Sequence, residues 1–162
     1  PPLHQLTMPE YQGSLEAVGR VAIVVARYHE RITRNLLVGA REACREAGIA
    51  DEAIDTCWVD GAFELGVVAS ALAHGGRHAA VIALGAVVRG ETPHFEFVAG
   101  ETAAALGRAA SATRIPVGFG LLTCDTIAQA AERAGGSAGN KGREAAEAAI
   151  RAASLLARIR HP

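Results

Sequence analysis

Six consecutive residues, Arg89-Gly90-Glu91-Thr92-Pro93-His94, bring a cation, a flexible glycine, a hydroxyl and an imidazole into one short stretch. An unperturbed imidazole titrates at about pH 6.5, so it can both give and take protons near neutrality. If Thr92 caps a helix with Pro93 at its first position, free backbone N–H groups and the positive dipole end lie beside Gly90. Such an end can hold a phosphate. An ordinary strand-to-helix loop with a threonine cap accounts for the same residues, His94 excepted. The segment has neither GxxxxGK[ST] nor GxGxxG, which argues against a P-loop and against dinucleotide binding.

Other residues fall beside this one. Tyr28 follows an apolar run and can stack on a planar ring or cover the rim of a sheet. Phe63 and Glu64 follow Gly61-Ala62; Glu64 can accept from ligand N–H groups or favour the first turn of its own helix. Arg133 and Lys141 flank a glycine-rich stretch and read as surface cations with a weak phosphate signal. Of six histidines, His29 and His94 fall at strand ends, and His4 and His161 in terminal tails. His74 and His78 flank a Gly-Gly turn at the opposite end.

These positions make sense only if strands and helices alternate. Val21 to Ala26 is a continuous apolar run rich in β-branched residues, as expected of a strand buried on both faces. Ile32, Leu36, Leu37, Ala40, Ala43, Cys44 and Ala47 recur at helical spacing, and Gly48 supplies the stop. The unit repeats: Ile54–Val59 and Ala79–Val88 read as strands, Phe63–Ala73 and the segment after Thr92-Pro93 as helices. Val117–Leu122 is a fourth strand. Asp125-Thr126 can cap a helix running to about Ala134, and a last helix spans about Arg143 to Ile159. Its alanines lie nearly all round, so one of its sides can face another subunit.

Alternation of this kind predicts parallel strands with right-handed crossovers: a flavodoxin-like three-layer α/β/α sandwich with a four-stranded parallel sheet. An N-terminal edge strand around Tyr11 to Leu15, on this sheet or a neighbour's, completes it. Residues 1–12 form an arm and 13–160 a single domain. In open α/β sheets ligands bind beyond the carboxyl ends of the strands, which selects the loops carrying Tyr28, Glu64, His94 and Thr123.

Composition bounds the remainder. The 162 residues suit one core, half of them are hydrophobic, and only 4% are aromatic, so alanine and small aliphatics must do the packing. A net charge of −1 gives no field that draws the chain to nucleic acid or anionic lipid. Cys44, Cys57 and Cys124 show no metal or CxxC spacing, which suits reduced thiols in the cytoplasm. No apolar run approaches the roughly 20 residues of a membrane span.

The stretch Gly85-Ala86-Val87-Val88-Arg89-Gly90-Glu91-Thr92-Pro93-His94-Phe95-Glu96-Phe97-Val98 resembles the signature of the lumazine synthase family, a strand followed by RGxTxH and HF(D/E)(Y/F)V. Gly61-Ala62-Phe63-Glu64, Phe119–Thr123, Gln129–Gly135 and Gly139-Asn140-Lys141-Gly142 are similar to further family segments in the same order. The resemblance runs from about Tyr11 to Leu156. It implies condensation of 5-amino-6-(D-ribitylamino)uracil with 3,4-dihydroxy-2-butanone 4-phosphate to 6,7-dimethyl-8-ribityllumazine, the penultimate step of riboflavin biosynthesis, with no metal or organic cofactor.

It also implies residue roles. Tyr28 takes the place of the aromatic that covers the pyrimidine; Ala62, Phe63 and Glu64 meet the ribityl chain; Ala86, Val87 and Val88 lie beneath the ring. Glu91 and Thr92 belong to the loop whose backbone holds phosphate, and His94 transfers protons. Phe119 and Arg133 match positions lent by a neighbouring subunit, and Lys141 a nearby cation. The resemblance further implies a homopentamer, or pentamers assembled into a sixty-subunit icosahedral shell, with riboflavin synthase as a possible partner; the short Gly135–Gly142 connection favours the shell. Two positions depart from the pattern: Asp60 and Gly66 stand where many family members have proline. Asp60 motivates an alternative, a non-catalytic relative that binds flavin or lumazine. A signalling domain of receiver type is disfavoured, since Arg27-Tyr28-His29-Glu30 offers no adjacent aspartates.

Overall fold

The computed structural model describes residues 8–162; Pro1–Thr7, with His4 and most of the expected arm, lie outside the described residues. Strands β1 (Val21–Ala26), β2 (Ile54–Val59), β3 (Ala80–Val88) and β4 (Val117–Cys124) form one parallel sheet in the order β2-β1-β3-β4. Helices α1 (Glu30–Glu46) and α5 (Lys141–Arg160) cover one face, and α2 (Leu65–His74) and α3 (His94–Thr113) the other. The expected three-layer architecture is the one observed.

The period of two along each strand explains the layers. Val21, Ile23 and Val25 of β1 join Ile82, Leu84 and Leu122 beneath α1 and α5. Ala22, Val24 and Ala26 join Val81, Ala83 and Leu121 beneath α2 and α3. Every residue of β1 is buried, so both of its faces are core, as its uninterrupted apolar run predicts. Side chains such as Ile23, Leu36, Ile82, Leu84 and Ile150 are fully buried, each contributing about 1.5–3 kcal/mol over an exposed position. Small residues let the layers close. A Cβ on Gly118 of β4 would lie 2.5 Å from the Ala145 carbonyl oxygen of α5, so only glycine permits that approach.

The predicted stop after α1 forms in full. Gly48 takes φ +91°, its N–H donates to the Arg45 carbonyl, and the Ile49 N–H donates to the Cys44 carbonyl. Helix α4 (Ile127–Glu132) starts at a capping box: Thr126 Oγ1 accepts from the Gln129 N–H while the Gln129 side chain accepts from the Thr126 N–H.

Four expectations are corrected. The edge strand does not form on this sheet: Tyr11 to Leu15 is irregular and lies on α5, where the Ser14 N–H donates to Ser154 Oγ and Arg158 donates to the Gln12 carbonyl and Ser14. Those polar partners satisfy backbone that a ladder would otherwise have paired. Pro93 stands just before the first helical residue of α3 with ψ 7°, so Thr92 is not its cap, and no side chain caps that helix. Helix α4 ends at Glu132, ahead of Ala134, because Gly135 at φ +94° turns the chain. The glycine-rich stretch is not all loop: β5 (Ala134–Gly136) and β6 (Gly139–Asn140) make a short antiparallel hairpin. Its return brings Lys141, the first residue of α5, back to donate its N–H to the Arg133 carbonyl.

Candidate active site

The carboxyl ends of β1, β2 and β3 open into a cavity of about 960 Å³. Its floor is Ala86, Val87 and Val88, the last three residues of β3. One wall is Tyr28 and His29, directly after β1, and a second is Gly61, Ala62, Phe63 and Glu64, after β2. The third is the loop Arg89–Gly90 with Thr92, and the first two turns of α3: His94, Phe95, Phe97, Val98 and Glu101.

Backbone bonds fix these walls. The Tyr28 N–H donates to the Asp60 carbonyl at 2.9 Å, extending the β1–β2 ladder one step past the strands. Tyr28 is 68% exposed, so its ring presents a free face to the cavity. The His29 ring stands edge-on to it at 4.5 Å between centroids. His29 has φ 58° and accepts from the Ile32 and Thr33 N–H groups, so it starts α1 from a left-handed conformation. Desolvation holds the His29 imidazole below its ordinary value, which favours the neutral ring at neutral pH. Ala62 begins a 3₁₀ turn ending at Glu64, and its carbonyl accepts from buried Thr102 Oγ1 of α3 at 3.3 Å. That bond ties the second wall to the third.

Arg89 closes the rim. Its Nε donates to Asp125 Oδ1 at 2.9 Å, its Nη1 donates to Glu96 Oε1, and its guanidinium lies 4.5 Å from the Phe95 ring centre. The arginine holds the Glu96 carboxyl below the usual range. With no side-chain cap, α3 presents its first N–H groups beside Thr92 and Gly90, a geometry suited to an anion.

Of the predicted residues, Tyr28, Ala62, Phe63, Glu64, Ala86, Val87, Val88, Thr92 and His94 all line this one cavity. Glu91 is exposed in the same loop but outside the lining. Three others lie elsewhere in this chain. Phe119 is on edge strand β4, 53% exposed and opposite Ala83, short of the floor. Arg133 follows α4, its Nη1 donating to the Gln129 carbonyl at 3.0 Å. Lys141 opens α5 and pairs with Glu144 at 2.9 Å. Sequence reading placed His29 at a strand end without a site role, and assigned none to the lining residues Phe95, Phe97, Val98 and Glu101. Phe97 and Glu101 follow His94 by three and seven positions, the spacing of one helix face, which was the available signal.

Both departures can be located. The Asp60 side chain is absent from the cavity lining, and its carbonyl does the structural work. Gly66 is buried where α2 meets α3: a Cβ there would lie 2.6 Å from the Ala105 Cβ. Among the described residues no group of His, Cys, Asp and Glu could hold a metal ion, and no helix is long and apolar enough to cross a membrane.

A family profile described as 6,7-dimethyl-8-ribityllumazine synthase matches residues 19–157, a span that includes every wall of the cavity and also Phe119, Arg133 and Lys141. A relative named 6,7-dimethyl-8-ribityllumazine synthase, from Anaeromyxobacter sp. (strain Fw109-5), is 49% identical over 150 residues, covering 92% of each chain. With its loops, cavity and whole-length similarity in agreement, this chain belongs to the 6,7-dimethyl-8-ribityllumazine synthase family.

Proposed function

We propose that this chain condenses 5-amino-6-(D-ribitylamino)uracil with 3,4-dihydroxy-2-butanone 4-phosphate to give 6,7-dimethyl-8-ribityllumazine, in the cytoplasm and without a cofactor. The observation that carries the reading is the convergence of Tyr28, Glu64, Val88, Thr92 and His94 on one cavity, in a chain of this family. The pyrimidine stacks on Tyr28 above Ala86, Val87 and Val88, and the ribityl chain runs along Ala62, Phe63 and Glu64. The phosphate sits at the Gly90–Thr92 loop, where Glu91 contributes backbone and the uncapped start of α3 supplies N–H groups. The 5-amino group attacks the ketone and the adduct loses water to form a Schiff base; phosphate is then eliminated, the resulting enol becomes a ketone, and the ribitylamino nitrogen closes the ring on that carbonyl with loss of a second water. His94 moves the protons. Holding both reactants in one cleft does much of the work, because orientation alone removes several kcal/mol of barrier.

In this reading the cavity of one subunit is completed by Phe119, Arg133 and Lys141 of another, within a homopentamer that builds into a sixty-subunit shell. A single domain, 13–160, forms each subunit, and Tyr11 to Leu15 can still pair with a neighbour's sheet. Surface chemistry supports self-association. Val67, Phe97 and Phe119 are exposed, and Gly100, Ala104 and Gly107 make an open stripe on α3 where a Cβ on either glycine would meet nothing within 4 Å. These apolar positions are open to a further protein surface. The free thiols suit a reducing compartment, and burial pushes the Cys44 thiol up to about 11, leaving it protonated.

The test is lumazine absorbance with both purified substrates, repeated across subunit concentration. His94→Ala is expected to slow turnover without abolishing it, and Arg133→Ala to weaken use of the phosphate substrate more severely. Two variants with wild-type kinetics would overturn the assignment. Ligand binding without turnover would favour the non-catalytic relative, a reading for which Asp60 now offers less support because its side chain stays off the cavity. Light scattering distinguishes five from sixty chain masses of 16.7 kDa.

A further inference from the structure

A continuous set of hydrogen bonds joins the rim of the cavity to Arg133. Arg89 Nε donates to Asp125 Oδ1 at 2.9 Å. The Asp125 N–H donates to Gln129 Oε1 at 2.8 Å, and the Thr126 N–H shares that oxygen at 3.2 Å. The Gln129 carbonyl then accepts from Arg133 Nη1 at 3.0 Å. Arg89 also grips the other side of the rim, through Glu96 and the Phe95 ring in the first turn of α3, next to His94.

We propose that Arg89 is a positioning residue: it locks the Gly90–His94 loop and the α4 segment carrying Arg133 into one unit, so that the phosphate loop of a subunit and the arginine it lends are set together. The proposal rests on the reading above that Arg133 serves an adjoining subunit's cavity. Its physical basis is the fork of the guanidinium. Arginine presents N–H donors in fixed directions, so bonds to Asp125 and Glu96 together determine the angle between the β3 and β4 loops. Each pair is exposed and weak by itself. Geometry comes from the two being made by one rigid group, with the Phe95 face as a third contact.

Asp125 separates this role from direct substrate contact, since Arg89 lines the cavity and Asp125 does not. Steady-state kinetics on Arg89→Lys, Asp125→Asn and the double variant provide the test. Both single variants are expected to raise KM for the phosphate substrate about tenfold, while KM for the pyrimidine substrate stays near wild type. The double variant should be no worse than either single one, because the two residues act as one link. Hydrogen exchange gives a readout independent of activity: amides of 127–132 should exchange faster in Arg89→Lys. An impaired Arg89→Lys beside a wild-type Asp125→Asn would overturn the proposal by making Arg89 a direct contact. Unchanged exchange in α4 would also overturn it. If the wild-type chain makes no lumazine yet α4 loosens on Arg89→Lys, the functional reading falls and the positioning link stands.

Discussion

At the amino end of the sheet, Arg20, Asp55 and His78 pair with one another. Arg20 donates to both Asp55 oxygens at 2.7 Å, and His78 Nε2 bonds to Asp55 Oδ2 at 2.7 Å, joining the starts of β1, β2 and β3. At the carboxyl end of the same strands, Tyr28, Glu64 and His94 hydrogen-bond to no other side chain among the described residues, and all three face the cavity. Polar groups paired within the chain fix structure; polar groups left to water are free to meet a ligand. The starts of the strands are thus held by paired polar side chains, while their carboxyl ends carry both a paired set, Arg89 with Asp125 and Glu96, and the unpaired groups that line the cavity.

The largest expected effect lies at the amino end. Asp55→Ala removes the acceptor shared by Arg20 and His78 and strands the buried His78 ring, whose Nδ1 is already without a partner. Thermal denaturation should show a loss of about 2 kcal/mol, or roughly 5 °C in Tm. No loss would mean the cluster is as dispensable as an exposed pair. The same contrast can be sharpened with acid. Hydrogen bonds from Arg20, then His78, hold the Asp55 carboxyl well below the usual carboxylate range. Its stabilisation is therefore complete above about pH 4 and fades as pH falls further, so the gap between wild type and Asp55→Ala should shrink only below that value. A gap that closes between pH 8 and 5 would contradict the assignment.

Smaller effects are expected at the carboxyl end. Thr126→Ala removes the cap of α4 and should cost about 1 kcal/mol, seen as faster hydrogen exchange in that helix. Glu64→Gln should leave the denaturation midpoint within about 0.5 kcal/mol while changing affinity for the pyrimidine substrate; a large stability change would place Glu64 with the structural residues. His29→Asn should be the mildest, a few tenths of a kcal/mol, because both residue types tolerate the left-handed conformation. The folded state favours the neutral His29 ring, so its small cost is absent above about pH 6.5 and grows below it. The His29→Asn variant should lose that acid sensitivity, which a pH series of melting curves would read.

The two ends also differ in how legible they were. Strands and helices could be read because burial on two faces leaves continuous apolar runs in β1 and β3, while α1 is apolar on one stripe. The cavity followed from strand direction and loop residues. The amino-end cluster could not be read, since Arg20, Asp55 and His78 are far apart in sequence and meet only through register, with Val21 opposite both Ile54 and Ala80. His78 has the sequence context of a turn residue and is buried in the fold. Thr92 has the sequence context of a cap and does not act as one: Pro93, with φ −70° and ψ 7°, stands between it and the first helical residue, and no side chain caps α3. The β5–β6 hairpin escaped because glycine carries no periodic signal.

The contact between Gly66 and Ala105 constrains how this sequence can change. Proline at 66, which the family resemblance implies for many relatives, would bring a Cβ to within 2.6 Å of the alanine methyl. The order of mutation then matters: Ala105→Gly first opens the space and Gly66→Pro can follow, whereas the reverse order passes through a strained intermediate. Two positions 39 residues apart in the chain are accordingly bound into one evolutionary choice.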